Sequence, residues 1–269
     1  MTFIEAYTHI KMLFHQSQRS RNKKLYDALF NPATYYNMLR KDIDECCEIA
    51  TRYDLVSDTE AGLLRGGRNI YEDSFLNEFR VARLFENYFG KGCLKWNPLG
   101  KGEKLGEFLL NINRTQSIFV EVKTKEEKNA LALIGILRSK EKSILESLKS
   151  AYKKADDNLN ISFFVVLSNN RFNIEIDSFQ IIKAYLGLIT YKNGSPKVIS
   201  HGFCAPDRHR KLSAIGHYFY NVEPESQKLQ EFFRIYHNPY SNCPIPCNVF
   251  DKKADYQFVL SKWNGRFEQ

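Results

Sequence analysis

The sequence predicts an α/β protein: a central mixed β-sheet flanked by helices, with a helical stretch before it and further α/β elements after it. Three observations carry that prediction. Residues 106–112 and 117–123 are two runs of alternating apolar and polar residues joined by a polar turn around Asn113, Arg114, Thr115 and Gln116, the pattern of an antiparallel hairpin. Residues 161–167 (Ile-Ser-Phe-Phe-Val-Val-Leu) are almost continuously apolar, as in a strand buried on both faces. Between them, Ile144, Leu148, Ala151 and Ala155 recur at helical spacing over residues 140–155. A helix of that length is enough for a crossover, so part of the sheet is expected to be parallel.

The chain has 269 residues, 43% of them hydrophobic, enough for one large domain or a core with additions. No apolar run is long enough to cross a bilayer, and the first residues lack a basic segment followed by an apolar one. The expectation is a soluble, cytoplasmic protein with no membrane partner. Six scattered cysteines form no dense framework and fit a reducing compartment. A formal charge of +8 favours a polyanionic partner.

Taken in order, residues 1–67 form the expected N-terminal helical region, with Ile4, Ile10, Leu13 and Phe14 on one helix and Tyr35 to Ile49 on a second. The basic run Arg19 to Lys24 between them is either a solvated loop or a phosphate contact. Of the adjacent Cys46 and Cys47, one is expected to be buried. Arg65-Gly66-Gly67-Arg68 punctuates the chain and opens the core region, 68–170. A helix from Asp73 to Tyr88 follows, with Asp73 placed to cap it and Gly90 and Gly92 to end it. Glu78 lies on this helix, facing either solvent or the hairpin. A short strand at Cys93 then leads through a glycine- and lysine-rich loop to Glu107; the loop lacks the spacing of a nucleotide-binding P-loop. Residues 171–269 form the C-terminal α/β extension. Strands are expected at Phe172–Ile176, Lys197–Phe203, Ile215–Val222 and Gln257–Leu260, and helices at Phe179–Leu188 and Glu225–Tyr236. Residues 238–248 read as a loop, and Asn238 to Asn242 has the polar and aromatic make-up of a base-contacting segment.

The chemistry concentrates on the hairpin. Side chains two apart on a strand share a face, so Glu121 and Lys123 project together, opposite Ile118, Val120 and Val122. Glu107 opens the neighbouring strand. Two acids and a lysine converging there are the minimum needed to hold a divalent cation beside a phosphate. By themselves, the same letters also fit a solvated surface pair. Two similar sets fail on context: Glu126-Glu127-Lys128 lies in a polar turn, and Pro206-Asp207 runs directly into Arg208-His209-Arg210-Lys211.

The order helix with Glu78, strand opened by Gly106-Glu107, strand carrying Glu121-Val122-Lys123, helix, strand resembles the PD-(D/E)xK nuclease superfamily, over about residues 70–168. The resemblance implies a restriction-endonuclease-like core and Mg2+-dependent hydrolysis of phosphodiester bonds in DNA, with Mn2+ as an alternative metal. It implies that Glu107 and Glu121 bind the metal and that Lys123 positions or activates the attacking water. Glu78 would add an outer metal or water contact. Lys149, Lys153 and Lys154 on the following helix, together with Arg65 and Arg68, are candidates for the phosphate backbone. Glu107 departs from the family's usual Asp and reaches further by one methylene. A single chain with one site acts twice, or as a homodimer, to cut both strands of a duplex. Two other readings stand beside this one: a catalytically inactive nuclease-like module that binds nucleic acid or protein, and a basic α/β scaffold. Cys204, His209, His237, Cys243 and Cys247 supply soft donors, but their spacings are not those of a zinc finger or ribbon, so structural zinc is not expected.

Overall fold

The computed structural model describes residues 2–21, 37–55, 57, 59, 74–96, 107–125, 136–154, 161–169, 176–192, 195–223, 228–260 and 267–268. Five α-helices and ten strands occur among them, in the order α1 (Phe3–Arg21), α2 (Asn37–Arg52), α3 (Ser74–Phe89), β1 (Leu94–Trp96), β2 (Phe108–Asn111), β3 (Ser117–Lys125), α4 (Ile136–Tyr152), β4 (Ser162–Asn169), α5 (Ser178–Tyr185), β5 (Gly187–Lys192), β6 (Ser195–His201), β7 (Leu212–Glu223), β8 (Lys228–His237), β9 (Tyr256–Leu260) and β10 (Phe267–Glu268). The fold is mixed α/β. Eight strands make one sheet in the order β1-β2-β3-β4-β7-β8-β9-β10, and β5 pairs with β6 separately. The predicted hairpin is β2–β3, antiparallel with Phe108 opposite Val120. As the crossover argument requires, β3 and β4 are parallel, as are β4 and β7.

Alternation along the central strands divides the core in two. Phe108, Leu110, Ile118, Val120, Val122, Phe164 and Val166 face α1, α2 and α3, where they meet Ile10, Phe14, Ile43, Phe79 and Phe85. Phe119, Phe163, Val165 and Leu167 face the other way, against Ile144, Leu148 and Ala151 of α4 and Ile181 and Ala184 of α5. Phe85 sits at the centre of the first layer, its ring centroid 6.0 Å from that of Phe108 and 5.7 Å from that of Phe233. Since β4 is covered on both faces, its sequence shows no alternation.

Several expectations change. Residues 228–237 form a strand instead of the C-terminal part of a helix at Glu225–Tyr236. The apolar doublets Phe232-Phe233 and Ile235-Tyr236 mimic helical spacing. In the sheet they arise because β8 lies between β7 and β9 and fills both layers: Phe233 and Ile235 on one side, Tyr236 on the other, with Phe232 stacked on Phe219 at 4.8 Å. The helix expected at 179–188 stops at Tyr185, because Gly187 turns the chain into β5 with φ +108°. A Cβ there would lie 1.9 Å from the Ser200 carbonyl oxygen. Cys46 and Cys47 are both buried, and α1 continues through Arg19 to Arg21 where a loop was one reading. The Asp73 cap, the 97–106 loop and the strand expected from Phe172 lie outside the described residues, apart from Ile176. No helix among the described residues is long and apolar enough to cross a membrane.

The middle of the sheet also holds a buried histidine. His217 on β7 is fully buried, its ring 4.8 Å from that of Phe219, and neither ring nitrogen has a hydrogen-bond partner among the described residues. Burial, assisted by the Arg234 charge, pushes its imidazole down to about 3. The unfolded chain takes up this proton near pH 6.5 and the folded chain does not. Stability linked to His217 is therefore complete above pH 6.5 and lost as the pH falls from there toward 3, at up to about 1.4 kcal/mol per pH unit. Urea titrations at pH 7.0, 6.0 and 5.0 are expected to show the wild type losing stability relative to His217→Leu. Parallel pH profiles would refute the linkage.

Candidate active site

The site is assembled from four elements. Glu107 precedes β2, and its backbone N–H donates to the Val120 carbonyl at 2.8 Å, which ties it to β3. Glu121 and Lys123 lie on β3 with their side chains on the α4 face, as alternation dictates. Lys154 stands in the turn that ends α4, where its N–H donates to the Ala151 carbonyl at 3.0 Å. Glu78 comes from α3, whose N-terminal half is pinned to the end of β3 by the Asn77 amide, Nδ2 donating to Thr124 Oγ1 at 3.2 Å.

These side chains converge. Glu121 Oε1 lies 2.5 Å from Lys123 Nζ and 2.7 Å from Lys154 Nζ. Lys154 Nζ is also 3.6 Å from Glu107 Oε1, so one ammonium bridges the two carboxylates that the sequence singled out. Glu121 is wholly buried, and its Oε2 has no hydrogen-bond donor among the described residues. Burial pushes the Glu78 carboxyl well above its ordinary range; the neighbouring Glu107 and Glu121 push the same way, and Lys154 and Lys123 only partly oppose them. For Lys154, burial favours the neutral amine, but Glu121 and Glu107 outweigh it and the ammonium is held above its usual range. Three acids and two lysines thus share one partly buried spot at the end of the α4 face.

Among the described residues, no group of three or more His, Cys, Asp or Glu side chains is arranged to hold a metal ion by itself. Magnesium does not ask for one: it is commonly held by one or two carboxylates, with water and substrate phosphate completing the shell. The donor set here is hard oxygen, and the unpartnered buried Oε2 of Glu121 has the chemistry of a ligand for such a cation.

The remaining candidates do not join the cluster. Lys149 and Lys153 are exposed, and of the three lysines expected to face phosphate only Lys154 reaches the acids. Arg65, Arg68 and the Glu126-Glu127-Lys128 set lie outside the described residues. Asn238 is buried and serves its own loop: Nδ2 donates to the Leu212 carbonyl at 2.7 Å, and Oδ1 accepts from the Tyr240 N–H at 2.9 Å. It cannot contact a base, which corrects that expectation; Asn242 remains exposed. The Cys/His set is dispersed in role. Cys204 is buried, His209 stacks on Phe203 at 3.9 Å, and His237 pairs with Gln257 at 2.9 Å.

The sequence reading missed a buried polar network beneath the site. Asp42 accepts from Arg80 Nε at 2.9 Å and from Arg83 Nη1 at 2.7 Å. Arg80 Nη1 donates to Asn77 Oδ1 at 3.0 Å. Since arginine only donates, Asn77 must turn its oxygen to Arg80 and its NH2 to Thr124. Asn77 and Thr124 are the chain neighbours of Glu78 and Lys123, so this network sets where α3 meets β3. A polar stripe at Asn77, Arg80 and Arg83, three residues apart along one helix, was the available signal.

The chain matches no family model, no curated protein and no solved structure in comparisons with known proteins.

Proposed function

We propose that the protein is a magnesium-dependent endonuclease of the PD-(D/E)xK type that hydrolyses phosphodiester bonds in DNA, with a restriction-endonuclease-like core. The observation that carries this reading is the convergence of Glu107, Glu121, Lys123 and Glu78 from a helix and a hairpin onto one spot. A basic chain of +8 suits a polyanionic substrate.

Each residue has work that follows from its chemistry. Glu107 and Glu121 would hold the cation through carboxylate oxygens; when bound, it would neutralise phosphate charge and activate water for attack. Lys123 is compact and positively charged. Beside Glu121 it is placed to donate to a scissile phosphate or orient the attacking water. Glu78, whose carboxyl is pushed upward by burial and by the neighbouring acids, is suited to hold a proton at the site. The basic end of α4 offers the backbone a place to lie. With one such site among the described residues of a chain, cutting a duplex requires two visits or a pair of chains.

Supercoiled plasmid incubated with the protein is expected to be nicked or linearised with Mg2+ or Mn2+, and left intact with EDTA. Binding of DNA without cleavage under either metal would favour a catalytically silent module. Cleavage of RNA alone would retain the chemistry and move the substrate.

A further inference from the structure

Lys154 occupies a position that the nuclease chemistry alone does not explain. Its ammonium lies between Glu107 and Glu121, at 3.6 and 2.7 Å, where a cation shared by two carboxylates would stand. Lys123 differs: it touches Glu121 but is two residues away on the same strand, and the strand fixes its reach. Lys154 comes from a turn at a helix end on a flexible four-carbon stem, and about a third of its side chain, 34%, is exposed. It therefore has a path to swing out of the cluster.

Resting on the magnesium-nuclease reading, we infer that Lys154 is the resident counter-ion of the Glu107–Glu121 pair, displaced when a divalent cation enters and taken up by a phosphate of the polyanion. With Lys123 already against Glu121, a divalent cation cannot enter between Glu107 and Glu121 at low cost while the Lys154 ammonium stays there, because like charges a few ångströms apart repel strongly where burial lowers the effective dielectric. Without Lys154 or a metal, Glu121 would be a buried carboxylate with, among the described residues, only Lys123 against it, which is costly. The ammonium thus balances the acids and holds them in place until metal arrives. Displacement couples the two ligands. Metal entry frees a positive charge for the phosphate, and phosphate binding draws Lys154 away and opens the place for metal. By linkage, each ligand must tighten the other by the same factor.

The test reads metal binding and needs no turnover. MnCl2 is titrated calorimetrically into the wild type and into Lys154→Met, each alone and each with a 30-base-pair duplex whose backbone is phosphorothioate. The expected result is Mn2+ affinity about tenfold or more higher in Lys154→Met than in wild type without DNA, a coupling of ordinary size. Duplex is expected to raise the wild-type affinity toward that of the variant and to leave the variant nearly unchanged. Equal or weaker Mn2+ binding by Lys154→Met overturns the inference, since a lysine that merely braces the acids would loosen them when removed. Lys154→Gln, checked with Lys154→Met by circular dichroism melts, is a second variant should the methionine disturb folding. Absence of Mn2+ binding in all three proteins also overturns it. The nuclease reading stands or falls separately, on wild-type plasmid cleavage: Mn2+ binding that follows Lys154 without any cleavage would sink that reading and leave this one intact.

Discussion

Asp42→Ala is expected to unfold in urea at about 3–5 kcal/mol lower stability than the wild type, the range for breaking a buried ion pair from one side. The reason is the number of charges that depend on this one carboxylate. Arg80 is completely buried and sends Nε and Nη2 to Asp42 Oδ2 at 2.9 and 2.8 Å; Arg83 sends Nη1 to Oδ1 at 2.7 Å. Arg83 keeps Glu45 and Glu231 when Asp42 is removed. Arg80 does not fare as well. Its remaining partners among the described residues are the neutral Asn77 oxygen at 3.0 Å and the Tyr220 hydroxyl at 3.1 Å, the Tyr220 ring lying 4.9 Å from the guanidinium. A buried guanidinium without a carboxylate is the costly case, and arginine does not escape by losing its proton. Asp42→Asn should lose most of the same stability, because an amide of equal shape cannot supply the charge. A loss below 1 kcal/mol in both variants would show that water or a rearranged Glu45 serves Arg80 instead.

The same carboxylate defines an acid limit different from that of His217. Burial alone would raise the Asp42 carboxyl, but Arg80 and Arg83 pull it below its ordinary value. Its contribution is therefore present above the unfolded value near 3.8 and lost as the pH falls through the lower folded one. His217 acts earlier, from pH 6.5 downward. Through Arg80 and Asn77, weakening of the Asp42 network would also release the hydrogen bond to Thr124 that holds α3 against the end of β3, so the position of Glu78 depends on charges far from any substrate.

What the sequence made legible was whatever one element shows on its own. The β2–β3 hairpin keeps one face wholly apolar, with Phe108, Leu110, Ile118, Val120 and Val122, and carries Glu121 and Lys123 on the other, so its alternation survives, and with it the shared face of those two residues. Glu78, Glu107 and Lys154 needed the tertiary fold to come together; helical position alone leaves Glu78 equally suited to water. The strand β8 escaped because it is covered on both faces, and double burial erases the period that distinguishes a strand from a helix. The Asp42–Arg80–Arg83 network escaped for a related reason. Charged residues on an amphipathic helix are ordinarily solvated, and only a third layer, here α2 against α3 above the sheet, converts that polar stripe into a buried one. Asn238, by contrast, looked like a reader of bases because loop asparagines often are exposed. Its hydrogen bonds to His209, Leu212 and Tyr240 show the commoner duty of a loop asparagine, holding its own turn.

On the nuclease function proposed above, Lys123→Met is expected under single-turnover conditions to nick supercoiled plasmid about 10²–10³-fold more slowly than the wild type, the usual cost of removing one preorganised charge aimed at a developing anion. Methionine keeps the length and apolar stem of the side chain and discards only the ammonium, so the strand and its core contacts remain. The Glu121 carboxylate keeps Lys154 at 2.7 Å, and the magnesium concentration giving half-maximal rate should change little. Glu121→Gln is expected to fail differently. It removes the negative charge that both Lys123 and Lys154 contact, so the rate should fall at least as far and the magnesium requirement should rise sharply. The pair of variants therefore separates the role of a residue acting on phosphate or water from that of one holding the cation. A wild-type rate in Lys123→Met would place the chemistry elsewhere in the chain, and the convergence on β3 would then be a buried ion-pair cluster that sets the packing of α3 and α4 on the sheet.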